Sequence, residues 1–343
     1  MTLTTLKAKK MTNKKAATKQ KVSGVLLVDK PQGMTSQQVV SKVKYLFQSP
    51  IHDSKKAGHT GTLDPMATGL LPICLGEATK FSHYQLGADK SYQALISLGQ
   101  QTDTGDAEGQ VIAQAPIADF DNVLLASIAE QFVGAQKQIP PMYSALKKDG
   151  KKLYEYARAG IEIERPARDI VIKALTLSKV ATDTIELSVT CSKGTYVRVL
   201  GEDIAKALDT LGHLTALRRI QVGKFTIDNA IDIAHLESLS LEQRFEQLLA
   251  VDACIDIDAE LMLSAEQCER LRLGQRLNVI EQIDESLQHY IANNLSKSVD
   301  DPTPDHELPV DIRLVNEQGN FIGLGAISLN GRLQPKKMII LSS

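Results

Sequence analysis

The chain has 343 residues, of which 39 are basic and 41 are acidic, so that its formal net charge is −2. This balance excludes a uniformly basic nucleic-acid-binding protein, although it leaves local basic patches open. The length is typical of about two domains. No run of about 18 apolar residues occurs and the N-terminus has no apolar secretory core, so we expect a cytoplasmic protein without a membrane span.

Cysteines and aromatic residues restrict the kinds of site that the chain could build. The four cysteines form neither a CxxC pair nor a pattern with histidine, which argues against a disulfide framework and a structural zinc site. We expect four buried thiols instead. Because tryptophan is absent and aromatic residues make up 4% of the chain, a nucleotide site would depend on a single well-placed ring.

The first 22 residues carry seven lysines and no acidic residue, and they offer nothing that could build a core. We therefore predict a disordered, Lys-rich tail. The segment lacks the arginines and the apolar face of a transit peptide, so a phosphate-attracting arm and a solubilising tail remain as interpretations.

The elements that follow begin with an apolar run. Residues 24–28 predict a buried strand that leads into a turn, and Thr35 with Gln38 forms a capping-box pattern at the start of a helix. A glycine-rich loop follows at 57–65. Alternating apolar residues at 92–98 then predict a strand.

A second alternating strand is predicted at 185–191, and an amphipathic helix ends near Leu208. If the strand continued beyond 191, Tyr196 and Arg198 would share one face. Because strands and helices interleave irregularly, we predict an α+β fold rather than a regularly wound parallel sheet.

The character of the sequence changes near residue 250. Residues 251–343 contain 8 basic and 15 acidic side chains, whereas the preceding residues contain 31 and 26. We predict a domain boundary there, a helix capped by Ser264 and Gln267, and antiparallel strands at 312–314, 321–329 and 338–341. The acidic, proline-containing segment 281–311 is interpreted as a loop insertion in this small β domain, with disorder as the alternative.

Two segments have the residue types that chemistry requires. In the loop at 58–65, glycines surround His59 and Pro65 follows Asp64, but no Gly-Lys-Ser/Thr sequence makes it a phosphate-binding P-loop. Taken alone, an aspartate before proline is more often a turn former. Arg198 could hold a carboxylate through a bidentate pair or could be an ordinary surface arginine, and spacing alone does not join it to Asp64.

The chain contains five motifs in the order GVLLVDKP at 24–31, GHTGTLDPMATGLL at 58–71, KSY at 90–92, PMYSALK at 141–147 and KGTYVR at 193–198. Together they resemble the TruB family of bacterial tRNA pseudouridine-55 synthases. The resemblance implies isomerisation of a uridine in the T loop of tRNA, without a metal or an organic cofactor. It also implies a pseudouridine synthase fold, with a mixed central sheet and flanking helices, followed by a PUA-like small β-barrel.

Within these motifs, Asp64 matches the catalytic carboxylate of the family, Arg198 the arginine that pairs with it, and Tyr92 the ring that stacks on the target base. A carboxylate suits this reaction either as a nucleophile or as a base toward the ribose, and both roles stay open. One stacking ring is enough for such a site, so the low aromatic content is no objection.

Further positions match residues that bind the substrate. His59 matches the residue that is inserted into the RNA, and Tyr196 and Leu217 match positions that line the pocket. Lys30, in the Asp-Lys-Pro turn, is expected to support the site, with a structural role as an equal alternative.

A basic run at 137–168 has eight basic and four acidic side chains. A solvated charged face is the usual explanation of such a run, but the family carries an RNA-gripping insertion here, so we expect phosphate contacts. Arg218, Arg219 and Lys224 are expected to extend this basic region. The expected contact residues are Lys147, Lys148, Lys151 and Lys152.

The predicted organisation is a tail at 1–22, a catalytic domain at 23–250 and a PUA-like domain at 251–343. We expect a monomer whose partner is the T stem-loop of tRNA. A guide-RNA-dependent pseudouridine synthase and a non-catalytic tRNA-binding or tRNA-folding protein are the alternatives.

Overall fold

A computed structural model describes residues 19–295 and 309–340. The predicted tail lies outside these residues as far as residue 18. Its predicted end at residue 22 is wrong, because Gln20–Lys21 pairs in parallel with His52–Asp53 and Val22 is buried. The apolar side chain of Val22 gives this part of the chain something to bury, which the lysine-rich part lacks.

The first 250 residues supply sixteen strands and seven helices within the described part of the chain. In chain order the strands are β1 (Gln20–Lys21), β2 (Gly24–Lys30), β3 (His52–Asp53), β4 (Ala57–His59), β5 (Thr68–Leu75), β6 (Lys90–Leu98), β7 (Gln100–Thr102), β8 (Val111–Gln114), β9 (Gly134–Gln138), β10 (Lys147–Lys148), β11 (Lys151–Lys152), β12 (Arg168–Ala181), β13 (Thr184–Cys191), β14 (Gly212–Val222), β15 (Phe225–Thr226) and β16 (Ile231–Asp232). The helices are α1 (Ser36–Leu46), α2 (Ser82–Leu86), α3 (Asn122–Phe132), α4 (Leu153–Arg158), α5 (Val197–Ala207), α6 (Ile233–Ser238) and α7 (Leu241–Glu246).

A ten-stranded mixed sheet organises this part of the chain. Its main order is β16-β2-β5-β14-β6-β13-β12-β9, with β4 on β5 and β15 on β14. Strand β14 pairs in parallel with β5 and antiparallel with β6. The buried residues of α1, α3 and α5 share one hydrophobic core with alternate residues of the strands. The predicted α+β fold with a mixed central sheet is confirmed.

The local predictions for α1 and β6 hold, whereas the strand considered beyond residue 191 does not form. Thr35 and Gln38 form the capping box at the start of α1. Strand β13 ends at Cys191, and Gly194 adopts a φ of 85°, so that the chain turns and α5 begins at Val197. Arg198 therefore lies in the first turn of a helix and shares no strand face with Tyr196, which caps that helix. The helically spaced apolar residues of α5 pack into the core and fix this turn.

The C-terminal residues form a second, smaller sheet. Its elements are β17 (Glu260–Leu263), α8 (Ala265–Arg272), β18 (Leu277–Asn278), α9 (Glu285–Leu295), β19 (Val310–Asn316), β20 (Phe321–Ile327) and β21 (Arg332–Met338). The strand order is β17-β19-β20-β21-β18, and one pair, β17 with β19, is parallel. This open curved sheet is consistent with a PUA-like domain.

Two predictions for the C-terminal part need correction. The last strand begins at Arg332 rather than near 338, because the Asn330-Gly331 turn leads directly into the hairpin partner of β20. The acidic segment 281–311 is not wholly a loop, since it contains α9, whose Leu287 and Ile291 are buried at helical spacing in the C-terminal core. Residues 296–308 of that segment lie outside the described residues.

The two sheets share a third hydrophobic core, in which Cys74 of β5 contacts Cys254 and lies in the same cluster as Leu324 of β20. The Tyr84 hydroxyl donates to the Asp311 carboxylate across this boundary at 3.1 Å. All four cysteines are buried and unbonded, as predicted. No helix in residues 19–295 or 309–340 is long and apolar enough to cross a membrane.

Candidate active site

A cleft of about 330 Å³ opens on the central sheet, where β6 and β14 lie side by side. Its walls come from segments that are distant in sequence and are brought together by the sheet order. The lining comprises residues 60–64 between β4 and β5, residues 144–146, residues 192–198 at the start of α5, and Leu86, Lys90, Tyr92, Leu217 and Arg219.

The structure brings Asp64 and Arg198 together at the wall of this cleft. Asp64 Oδ2 lies 3.0 Å from Arg198 NH2, although 134 positions separate the residues in sequence. The Asp64 side chain is 40% exposed, whereas that of Arg198 is 5% exposed. A buried guanidinium thus holds a carboxylate that remains open to a ligand in the cleft, and such a charge-assisted contact orients its acceptor.

A second carboxylate, which the sequence reasoning missed, faces the same guanidinium. Asp106 Oδ2 lies 3.5 Å from Arg198 NH1, and Asp106 is buried. Arg198 also donates to the carbonyl oxygens of Thr104 at 2.6 Å and Tyr143 at 2.7 Å. The only signal in the sequence was a turn-rich segment with closely spaced acids, and Thr104 Oγ1 indeed donates to Asp106 Oδ1 within that turn. These contacts leave Arg198 little freedom.

Lys30 contacts the loop that contains Asp64 but is not among the residues that line the cleft. Its fully buried ammonium donates to the carbonyl oxygens of Pro31, Met34 and Pro65, the last at 3.4 Å. Burial lowers the pKa of Lys30 to about 8, and the negative charge of Asp64 opposes that shift. Because Pro65 follows Asp64 directly, Lys30 ties the backbone of this loop to the turn after β2.

Tyr92, Tyr196 and Leu217 all line the cleft, as their predicted roles require. Tyr92 lies on β6 and is buried, and this burial raises the pKa of its hydroxyl. The side-chain amide of Gln138 accepts from the Tyr196 backbone N–H at 2.8 Å and donates to its carbonyl at 3.1 Å. Gln138 thereby fixes Tyr196 at the entrance to α5.

His59 ends β4 and lies outside the cleft lining. The Gly61 backbone N–H donates to its Nδ1 at 3.3 Å, and the ring is half-buried. Burial, followed by the positive charge of Arg219, lowers the pKa of His59. The ring lies at the edge of the loop that contains Asp64.

The four predicted phosphate-contact lysines form one small hairpin. Lys147 pairs with Lys152 and Lys148 with Lys151 across β10 and β11, and Asp149 and Gly150 form the turn with positive φ. None of these lysines makes an ion pair within the described part of the chain, and all but the half-buried Lys152 are exposed. The hairpin leaves the cleft directly after residue 146 and presents its charge to solvent.

The expected extension of this basic surface is wrong for Arg219, whereas the paired Arg218 is partly exposed and Lys224 is exposed. Arg219 is 1% exposed and Arg218 makes a bidentate pair with Asp29 at 2.6 and 3.0 Å. Lys224 donates to the carbonyl oxygen of Ile255 at 2.9 Å. Successive residues of β14 point to opposite faces of the sheet, so Arg219 points into the floor of the cleft instead of toward bulk solvent.

No group of three or more His, Cys, Asp or Glu side chains among residues 19–295 and 309–340 is placed to hold a metal ion.

Family models match the chain in three consecutive parts. The N-terminal domain of the TruB family pseudouridylate synthases matches residues 50–197, and the tRNA pseudouridylate synthase B C-terminal domain matches residues 198–261. The C-terminal model of pseudouridine synthase II TruB matches residues 299–339.

Curated relatives agree with these matches. The chain is 71% identical to the tRNA pseudouridine synthase B of Psychrobacter cryohalolentis, over 94% of this chain and 95% of that protein. It is 45% identical to the enzyme of the same name from Aromatoleum aromaticum, over 93% of each chain.

Among solved structures, an H/ACA RNP bound to a substrate RNA containing 2′-deoxyuridine matches with a TM-score of 0.62 at 18% identity, over 93% of this chain and 85% of that one. A Cbf5-Nop10-Gar1 complex matches with a TM-score of 0.59 at 19% identity, over 93% and 84%. At this identity the structures show a shared fold.

Proposed function

Because the chain belongs to the TruB family of pseudouridylate synthases, we propose that it isomerises uridine 55 in the T loop of tRNA to pseudouridine. The observation that supports this most directly is the Asp64 carboxylate, held by buried Arg198 and exposed to a cleft that also contains Tyr92. The assignments of individual residues below belong to this proposal.

The reaction breaks the bond between ribose C1′ and uracil N1, turns the base, and forms a bond between C1′ and C5. Asp64 serves either as the nucleophile that attacks C1′ or as the base that removes a ribose proton. In both roles it must be ionised and aimed at the ribose, and the contact with Arg198 provides that orientation. The net change is an isomerisation, so it consumes no oxidant or reductant.

A stacked base must leave the RNA before it reaches Asp64, at a cost of roughly a few kcal/mol. Stacking on the Tyr92 ring could return about 1–3 kcal/mol, the range typical of bases on protein aromatics. Tyr196 and Leu217 bound the space around that ring. His59, at the edge of the Asp64 loop, is the proposed wedge that fills the gap in the RNA.

Phosphates of the T stem-loop are the proposed partners of the lysine hairpin. Lys147, Lys148, Lys151 and Lys152 offer four cationic groups beside the cleft and make no ion pairs in the described residues. Neutralising RNA phosphates there would release counterions and favour binding. We further propose a catalytic domain at 23–250, a PUA-like domain at 251–343, a monomeric state and a cytoplasmic location.

The guide-dependent alternative receives support only from the fold shared with the H/ACA and Cbf5 structures. The lysine hairpin favours an enzyme that grips tRNA by itself. A non-catalytic tRNA-binding protein would have no use for the Asp64–Arg198 pair, so the geometry favours the enzyme.

The test is base-resolved pseudouridine mapping of an unmodified tRNA transcript incubated with the purified protein alone. We expect one T-loop uridine to be converted, and Asp64→Asn to abolish conversion while tRNA binding persists. Asp203→Asn is the matched control, because the Asp203 side chain is also 40% exposed and also makes an ion pair at 3.0 Å. An inactive wild type would contradict the stand-alone enzyme, and an active Asp64→Asn variant would contradict the role of Asp64.

A further inference from the structure

The floor of the cleft contains two buried cations that the proposed roles do not use. Arg219 is 1% exposed and Lys90 is 9% exposed, and both line the cleft. The described residues that line the cleft include four basic side chains but one acid, Asp64. Asp64 is already paired with Arg198, so the cleft has an excess of positive charge.

Neither cation has a carboxylate within ion-pair distance in the described part of the chain. Arg219 donates to three carbonyl oxygens, and Lys90 donates to two. The acceptors of Arg219 are Leu70 at 2.8 Å, Gly61 at 3.2 Å and Thr62 at 3.5 Å, and those of Lys90 are Ala88 at 2.6 Å and Leu86 at 3.4 Å. These carbonyls soften the cost of burial but do not neutralise the charge.

The two cations are close to each other and to the stacking ring. The position that a Cβ atom would occupy on Gly61 lies 3.6 Å from Arg219 Nη1 and 3.6 Å from Lys90 Cε. These two atoms are therefore no more than about 7 Å apart, and at such a separation two positive charges repel each other. Arg219 is also the cross-strand neighbour of Tyr92 in the pairing of β14 with β6. Burial and, after it, the charge of Arg219 lower the pKa of Lys90 to about 8.

A purely structural explanation accounts for part of this arrangement. Arg219 links β14 to residues 61–62, and Lys90 caps the end of α2. Neutral donors could do the same, however, whereas each buried charge without a counter-charge costs several kcal/mol. A site that keeps two such charges is well suited to an anion that is present only transiently.

The proposed reaction generates such an anion inside the cleft. When the C1′–N1 bond breaks, its electron pair stays on N1, and the negative charge spreads to the O2 and O4 atoms of the detached uracil. This holds whether Asp64 attacks C1′ or removes a ribose proton. When C5 bonds to C1′, the C5 proton leaves and N1 gains a proton, so the base is neutral again.

We propose that Arg219 and Lys90 form an anion-stabilising subsite for the detached uracil, on the floor of the cleft behind Tyr92. This inference rests on the proposed isomerisation. Cations fixed in a site of low polarity favour the state in which the negative charge develops over the neutral bound uridine. The subsite thus acts on bond cleavage rather than on tRNA affinity.

The test compares two tRNA transcripts, one with uridine and one with 5-fluorouridine at the target position. Fluorine withdraws electrons and makes the detached base a more stable anion, which needs less help from the protein. The assay follows loss of the N-linked nucleoside in single-turnover reactions. We expect Arg219→Gln to lower the rate of this loss from the uridine transcript by about 10²-fold or more. The factor by which Arg219→Gln lowers the rate with the 5-fluorouridine transcript should be at least about tenfold smaller. The Kd for tRNA should be unchanged.

Lys90→Gln is the second variant and carries the test if Arg219→Gln does not fold. Arg244→Gln is the matched control, because Arg244 also donates to three carbonyl oxygens but is not among the described residues that line the cleft. Equal losses with both transcripts in every folded variant would overturn the subsite and assign the two cations a structural role. A wild type that converts neither transcript would instead contradict the proposed function.

Discussion

Arg198→Lys should lower kcat strongly while the protein still folds. Lysine keeps the positive charge of Arg198 but not the two nitrogen arms of its guanidinium. The guanidinium uses NH1 for Asp106 and the Thr104 carbonyl, and NH2 for Asp64 and the Tyr143 carbonyl. A lysine ammonium is a single point and cannot occupy both positions. We expect Asp64, the more exposed of the two carboxylates, to lose its contact.

The magnitude follows from the contacts that are lost. A hydrogen bond from a charged group contributes about 1.5–3 kcal/mol, and lysine forfeits about half of the four contacts while it keeps the charge. The free energy of unfolding should therefore fall by about 3–6 kcal/mol. A carboxylate that moves by about 1 Å costs roughly 10²-fold in rate, so kcat should fall by at least that factor.

Pseudouridine formation at saturating tRNA and urea unfolding measure these two effects separately. Arg244→Lys is the control, since it loses comparable contacts to carbonyl oxygens outside the described lining of the cleft. It should lose stability but keep kcat. A kcat for Arg198→Lys within about threefold of the wild type would refute the argument that Arg198 positions Asp64.

Two further predictions concern the other lysines of the site. Replacing Lys147 and Lys148 by alanine should weaken tRNA binding and reduce, by roughly 1–2, the steepness with which the logarithm of the association constant falls with the logarithm of salt concentration. Lys206→Ala, the control, should change neither quantity. An unchanged slope in the double variant would show that the hairpin is only a solvated charged face. In urea unfolding, the free energy of unfolding of the wild type relative to Lys90→Met should rise by roughly 1–3 kcal/mol as the pH rises from about 8 to about 10. In this pH range the unfolded chain still holds the Lys90 proton, whereas the folded chain has lost it. A constant difference between these two proteins would contradict the lowered pKa of Lys90.

The sequence by itself determined the local elements and the residues of the chemistry. The capping box of α1, the alternation in β6 and β13 and the five motifs each depend on residues that are near one another in the chain. Such patterns follow from backbone and side-chain periodicity, which neighbouring residues fix. The basic run at 137–168 was likewise evident from contiguous residues, but the hairpin formed by β10 and β11 was not predicted.

Charge could not be interpreted so locally. Lys147 and Arg219 are both cations in basic stretches, yet the first is exposed and the second lies in the floor of the cleft. Because successive residues of β14 point to opposite faces, Arg218 and Arg219 lie on opposite sides of the sheet. The order of the strands, and not this alternation, determines which side carries the cleft.

Only the tertiary structure decided which groups meet. Asp106 joined the Asp64–Arg198 pair because α5 and two distant loops converge on one side of the sheet, and no spacing in the sequence indicates that contact. The net charge of −2 likewise describes the whole chain and not the cleft, where cations outnumber acids. Electrostatic interactions act through space over a few ångströms, so they depend on the packing of β5, β6 and β14 rather than on the order of residues.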